Sequence, residues 1–154
     1  MRLFQLVYIS KSDTPADTDV LEAIRKSAVR NNSANNITGL LLHSHGHFMQ
    51  ILEGHCTNVA ATFDRICEDS RHAEIQCVYF APTRERIYPD WNMGVYDLNS
   101  GNGAEIGVDV VKVFGDARKN GVDALRREDI IIAFERFRTK VTAAAIDTDL
   151  RASA

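Results

Sequence analysis

The sequence predicts an α+β fold: a ferredoxin-like βαββαβ(β) sandwich whose second sheet face is covered by a pair of C-terminal helices. Three observations carry this. Apolar, β-branched segments alternate with amphipathic ones in the order βαββαβ, with one more strand after them, which is the split-βαβ pattern. Leu40-Leu41-Leu42 is apolar at successive positions, the mark of a strand buried on both faces. Two helices within this order cover only one face, and the later stripe Ile130, Phe134, Phe137 and Val141 supplies a cover for the other.

The first strand is read over Leu3–Ser10, rich in Leu, Phe, Val, Tyr and Ile. Lys11–Thr18 is a polar turn containing Pro15. A helix is expected from Asp19 to about Arg30, with Glu22 completing a capping box and Leu21, Ile24 and Ala28 forming its stripe. The run Asn31–Asn36 should end it, because asparagine tolerates the left-handed conformation and competes for backbone hydrogen bonds. Thr38–His43 and His47–Glu53 are strands joined at Ser44-His45-Gly46. Thr57 is the expected cap of a second helix ending near Asp69, with Val59, Phe63 and Ile66 as its stripe. Ile75–Ala81 reads as the fourth strand, Pro82–Asn92 as a loop and Met93–Leu98 as the fifth strand.

Beyond lies the Asn- and Gly-rich stretch Asn99–Gly103, then a short helix over Val110–Ala117 and a longer one from Asp123 to about Ala145. The organisation expected is a domain over 1–98, a linker over 99–105, a helical cap over 106–146 and a frayed tail over 147–154.

At 154 residues the chain is one domain with an appendage, and 45% apolar residues suffice for a proper core. A formal net charge of −3 offers no bulk attraction to nucleic acid or to an anionic membrane. The first apolar run is too short, and too interrupted by Gln5 and Tyr8, for a secretory signal, so a cytoplasmic location is expected. Cys56, Cys67 and Cys77 are odd in number and lack a CxxC spacing, which argues against a disulfide framework or a zinc site. His43, His45 and His47 straddle a hairpin turn without a nearby carboxylate or cysteine, so no metal is expected.

Gln50 is the most informative residue. It lies in the strand Phe48-Met49-Gln50-Ile51-Leu52, where alternation puts Phe48, Gln50 and Leu52 on one face. A primary amide among hydrophobes is costly unless both its NH2 and its C=O find partners. Tyr8 poses the same puzzle on the first strand, sharing a face with Phe4 and Leu6. Two buried polar groups on adjacent strands point to a site.

Six segments carry a resemblance to a known family: Leu6-Val7-Tyr8-Ile9-Ser10, Asn31-Asn32, Ile37-Thr38-Gly39-Leu40-Leu41, Phe48 through Gly54, Asp69-Ser70-Arg71-His72 and Trp91-Asn92-Met93-Gly94. Together, in this order, they resemble the BLUF domains, blue-light sensors that use flavin, over about the first 98 residues. The resemblance implies FAD, with FMN or riboflavin as alternatives, bound between the two helices with its ring edge toward the sheet. It implies Tyr8 as the photoactive tyrosine and Gln50 as the switch glutamine. Asn32 would hydrogen-bond the polar edge of the ring, Ile24 and Ile66 would sandwich it, and Asn31 and Phe48 would be among its further contacts. Arg65, Asp69, Arg71 and His72, with Arg30 more loosely, would lie toward the ring and ribityl-phosphate end. Trp91 and Met93 would carry the signal.

The residues after 98 are too few for a cyclase or phosphodiesterase domain, so the resemblance implies a short, stand-alone sensor rather than an enzyme. Its expected partners are a downstream protein and a second copy of itself, with no nucleic acid and no membrane. The competing readings are a small flavin-dependent oxidoreductase and a regulatory binding module without photochemistry, since this scaffold hosts many functions.

Overall fold

The computed structural model describes residues 2–12, 17–100 and 103–152. Its elements are β1 (Leu3–Ser12), α1 (Thr18–Ala34), β2 (Thr38–Ser44), β3 (His47–His55), α2 (Cys56–Glu68), β4 (His72–Thr83), β5 (Gly94–Asp97), α3 (Gly103–Ile106), α4 (Val108–Asn120) and α5 (Arg127–Ala152). The sheet order is β4-β1-β3-β2-β5. Four strands are antiparallel to their neighbours, and β5 adds in parallel beside β2. This is the ferredoxin-like sandwich with its extra strand.

The pleat divides the core in two. Leu6, Tyr8, Leu41, Phe48 and Leu52 face α1 and α2, where Leu21, Ile24 and Val59 close over them. Val7, Ile9, Leu40, Leu42, Met49 and Ile51 face the other way, against Val113 and Phe114 of α4 and Ile130, Phe134 and Phe137 of α5. The C-terminal stripe therefore covers its own sheet. Each of its buried phenylalanines contributes about 1.5–3 kcal/mol of burial.

Several boundaries differ from the sequence reading. The cap of α1 is Asp17, whose carboxylate accepts from Val20 N at 2.9 Å, while Glu22 pairs with Arg25 at 2.7 Å instead of closing a capping box. The helix runs on through Asn31 and Asn32 to Ala34, because Asn32 spends its amide on the carbonyl of Asn92. Helix α2 starts at Cys56 after His55, one residue ahead of the expected cap Thr57. Part of the expected polar turn belongs to β1, and residues 13–16, including Pro15, lie outside the described residues. The expected linker is helical from Gly103, with residues 101–102 outside the described residues. A 3-10 turn at Val122–Ala124 delays the last helix to Arg127, and that helix continues through Ala152 where fraying was expected from Asp147. The β2–β3 turn is His45-Gly46 with φ of 47° and 76°, both positive as a type I′ hairpin requires. Among the described residues no helix is long and apolar enough to cross a membrane.

Candidate functional site

Register brings the two anomalous polar residues together: Tyr8 of β1 pairs directly with Gln50 of β3. The Tyr8 hydroxyl donates to Gln50 Oε1 in a short hydrogen bond. Gln50 Nε2 donates to Met93 Sδ at 3.1 Å. Both ends of the buried amide are thereby satisfied, one strongly and one by a thioether, which is a weak acceptor.

Tyr8 is completely buried. Burial foremost, then the negative charge of Asp69 and the neighbouring Cys67, push its phenol well above the usual tyrosine range. Its proton stays in place at any physiological pH. Phe63 of α2 lies against the Tyr8 ring at 5.5 Å between centroids, and His72 meets it edge-on at 5.9 Å.

Over this pair, between α1 and α2, opens a cleft of about 110 Å³. Its walls hold Ile24, Asn31 and Asn32 from α1, Arg65 and Ile66 from α2, and Asp69, Arg71 and His72 beyond α2, with Gln50 at the floor. Ser27, Ala28 and Thr62 also line it and were missed in the sequence. They carry a readable signal: small side chains one turn from Ile24 and Ile66 on the facing stripes leave room between the helices. Phe48 is buried behind the cleft, 4.9 Å from the His72 ring. Arg30 is exposed and does not line the cleft. At about 100° per residue it sits about 120° around α1 from Ile24.

The charged end is internally organised. Asp69 takes a forked pair from Arg71, with Nη2 at 2.6 Å and Nε at 3.0 Å, and also accepts the Arg71 backbone N–H at 2.9 Å. These bonds hold the Asp69 carboxyl below its ordinary range. Among the described residues Arg65 donates to Thr62 Oγ1 at 3.1 Å, a neutral partner, and keeps its charge available. His72 Nδ1 lies 2.9 Å from Ser10 Oγ, and burial lowers its basicity, so it is neutral at pH 7.

Two hydrogen bonds leave the cleft for one short segment. Gln50 reaches Met93, and Asn32 Nδ2 donates to the carbonyl of Asn92 at 2.8 Å, leaving the Asn32 carbonyl oxygen open for a ligand. Met93 is buried beside Gln50. Trp91 instead turns toward the α5 side of the sheet, its ring 5.1 Å from Tyr88 and 6.3 Å from Tyr96. Gly94 makes room for that ring, since a Cβ there would come within 2.7 Å of Trp91 Cε3.

The segment before Trp91 is anchored by Glu53, a wholly buried carboxylate that the sequence reading gave no role. It accepts from Gln5 Nε2 at 2.9 Å and from the backbone N–H groups of Ile87 at 2.7 Å and Tyr88 at 2.8 Å. The Tyr88 hydroxyl in turn donates to the carbonyl of Phe134 on α5 at 2.6 Å.

A flavin suits this donor set. Amides converge at the floor and one wall, isoleucines face each other across the gap, and cations gather at one end, as a polar-edged flat ring with an anionic tail requires.

Comparisons with known proteins agree. The family profile described as BLUF, sensors of blue light using FAD, matches residues 3–94. The chain is 41% identical over 92 residues to the photoactivated adenylate cyclase subunit beta of Euglena gracilis, covering 59% of this chain and 11% of that protein. It is 38% identical over 87 residues to the alpha subunit from the same organism, covering 56% of this chain and 8% of that one. It thus spans only a small part of these curated relatives.

A bacterial light-regulated adenylyl cyclase superposes with a TM-score of 0.68 at 31% identity, covering 76% of this chain and 35% of that one. The BLUF protein BlrB in its dark state superposes at 0.69 and 24% identity, covering 86% and 96%, a likeness of fold. With the family profile matching well over half of its residues, the chain belongs to the BLUF family, the sensors of blue light using FAD.

Proposed function

We propose that the chain is a blue-light photoreceptor in which Tyr8, Gln50 and Met93 form the switch and α5 carries the output. The observation that carries this reading is the continuous chain Tyr8 Oη to Gln50 Oε1, Gln50 Nε2 to Met93 Sδ. FAD held in the cleft supplies the absorption of blue light and, once excited, an oxidising power. Asn31, Asn32 and Gln50 would hold the polar edge of its ring, Ile24 and Ile66 its faces, and Arg65, Arg71 and His72 its anionic end.

Tyr8 is the electron donor within reach of that ring. Because its phenol is held protonated by burial, Tyr8 would give up an electron to the excited ring while its proton moves along the existing bond to Gln50 Oε1, and both would return to Tyr8 once Gln50 has changed, so that no net oxidation remains. Gln50 can then rotate or tautomerise: its NH2 group gives up only a weak thioether contact, while its bond to Tyr8 re-forms with donor and acceptor exchanged. Either change exchanges a donor for an acceptor toward both the cleft and Met93 without altering net charge. Tyr8 is fully buried and Gln50 nearly so, so the redox partner at this site is the protein itself. This favours a sensor over an oxidoreductase that must admit a second substrate.

The signal then has a physical route. Met93 and Asn92 adjoin Trp91, whose ring rests on Tyr88, and Tyr88 is bonded to Phe134 of α5. Tyr96 adds an edge contact to Phe137 at 5.2 Å. For the signal to leave the domain, these contacts must differ between the two Gln50 states. A downstream protein would read the outer face of α5, where Ile132 is exposed, and a second copy of the chain would use the same face.

Hydrogen exchange tests the route. Light should raise exchange in residues 91–97 and in α5. Tyr88→Phe should cost about 1 kcal/mol, raise α5 exchange already in the dark and remove its light dependence, while leaving that of 91–97. An α5 unchanged by light in the wild-type chain contradicts the route.

A further inference from the structure

A cavity of about 730 Å³ opens on the α4–α5 side of the sheet, between the end of β4, the segment 84–87 and α5. The photochemical reading does not use it. Its lining includes Arg2, Arg84, Arg86 and Arg138 together with Glu85 and Glu135. Four cations facing two anions is a marked local excess in a chain whose net charge is −3.

None of the four arginines enters an ion pair found among the described residues. Two are held in place by neutral acceptors. Arg86 donates to the carbonyls of Glu53 and Asn36, both at 2.8 Å, and to Thr38 Oγ1 at 2.9 Å. Arg138 donates to the carbonyl of Ile87. Such bonds fix a guanidinium without cancelling its charge; Arg138, held on the carbonyl of the lining residue Ile87, is thereby preorganised for phosphate. Tyr79, Ile87 and Ile131 supply an apolar part of the wall. The volume falls within the range of small-molecule sites, about 300–1,000 Å³, and a concave pocket of this size suits a compact ligand better than a flat protein surface.

We propose that this cavity binds a nucleoside polyphosphate, its phosphates on the arginines and its base against Tyr79 and the isoleucines. The site is separate from the flavin cleft and stands independently of the photochemistry.

Calorimetric titration of the FAD-loaded full chain in the dark tests it, with ATP, inorganic pyrophosphate and adenosine as probes and no added magnesium. Saturable ATP binding is expected, weaker for pyrophosphate, weakest for adenosine, and falling as salt rises. The double variant Arg2→Ala/Arg84→Ala should bind ATP at least about tenfold more weakly, as the loss of charge-assisted hydrogen bonds predicts. Both side chains are exposed, so its flavin spectrum and melting temperature should match the wild type. No ATP binding, or an affinity unchanged in the double variant, overturns the proposal. Poly-glutamate binding that ATP cannot displace overturns it too, by assigning the surface to an acidic protein segment.

Discussion

Tyr8→Phe is expected to give a folded, yellow protein that no longer shifts its absorption to the red in blue light. The substitution removes one oxygen from a completely buried ring and keeps the packing against Phe63 and His72. It also removes the donor to Gln50 Oε1, leaving a buried carbonyl unsatisfied at a cost of about 1–3 kcal/mol. That is a fraction of the stability of a domain this size, about 5–15 kcal/mol, so flavin binding should survive. The photochemistry should not, because phenylalanine offers neither the electron nor the proton that moves along the bond to Gln50. Difference spectra of the illuminated variant check this, and a normal, reversible red shift in Tyr8→Phe would remove Tyr8 from its role.

Gly39→Ala should be the most damaging glycine-to-alanine change among the described residues. Gly39 has a φ of 157° and pairs with Leu52 of β3. A Cβ there would sit 1.9 Å from the carbonyl oxygen of Ile51. The obstacle is backbone in the middle of the sheet, so no side-chain rotation relieves it. Either β2 separates from β3 or the register around Gln50 shifts. The Gly39 N–H also donates to the carbonyl of Trp91 at 2.9 Å, so the distortion reaches the signalling segment. A loss of about 3 kcal/mol is expected from such overpacking, which lowers the melting temperature by roughly 6–12 °C for a chain of this size. A wild-type melting curve for Gly39→Ala would contradict the strand geometry.

Much of this was legible in the residues, for identifiable reasons. Strand periodicity marks Tyr8 and Gln50 as polar groups on apolar faces, and antiparallel pairing of β1 with β3 then makes them neighbours. The stripe Ile130, Phe134, Phe137 and Val141 announces a helix with one apolar side, and only the uncovered sheet face can receive it. What the sequence concealed depends on contacts distant in the chain. Nothing local says that α1 continues through Asn31-Asn32-Ser33. The helix persists there because Asn32 spends its amide on the carbonyl of Asn92, and that continuation keeps Asn31 and Asn32 on the cleft face. Glu53 reads as the polar end of a strand, yet it is the buried anchor of the 87–88 backbone. Spacing alone does not decide between Trp91 and Met93 as the neighbour of Gln50. The structure puts Met93 there, because Trp91 finds Tyr88, Tyr96 and the space over Gly94 on the opposite side.

The account rests on light changing the hydrogen bonds of Gln50 while the flavin ends in its starting redox state. The absorption spectrum of the purified protein, taken before and after blue light and during dark recovery, tests that directly. The account predicts a flavin spectrum that moves to the red on illumination and returns fully in the dark. A spectrum that bleaches, or one that stays fixed under illumination, would contradict it.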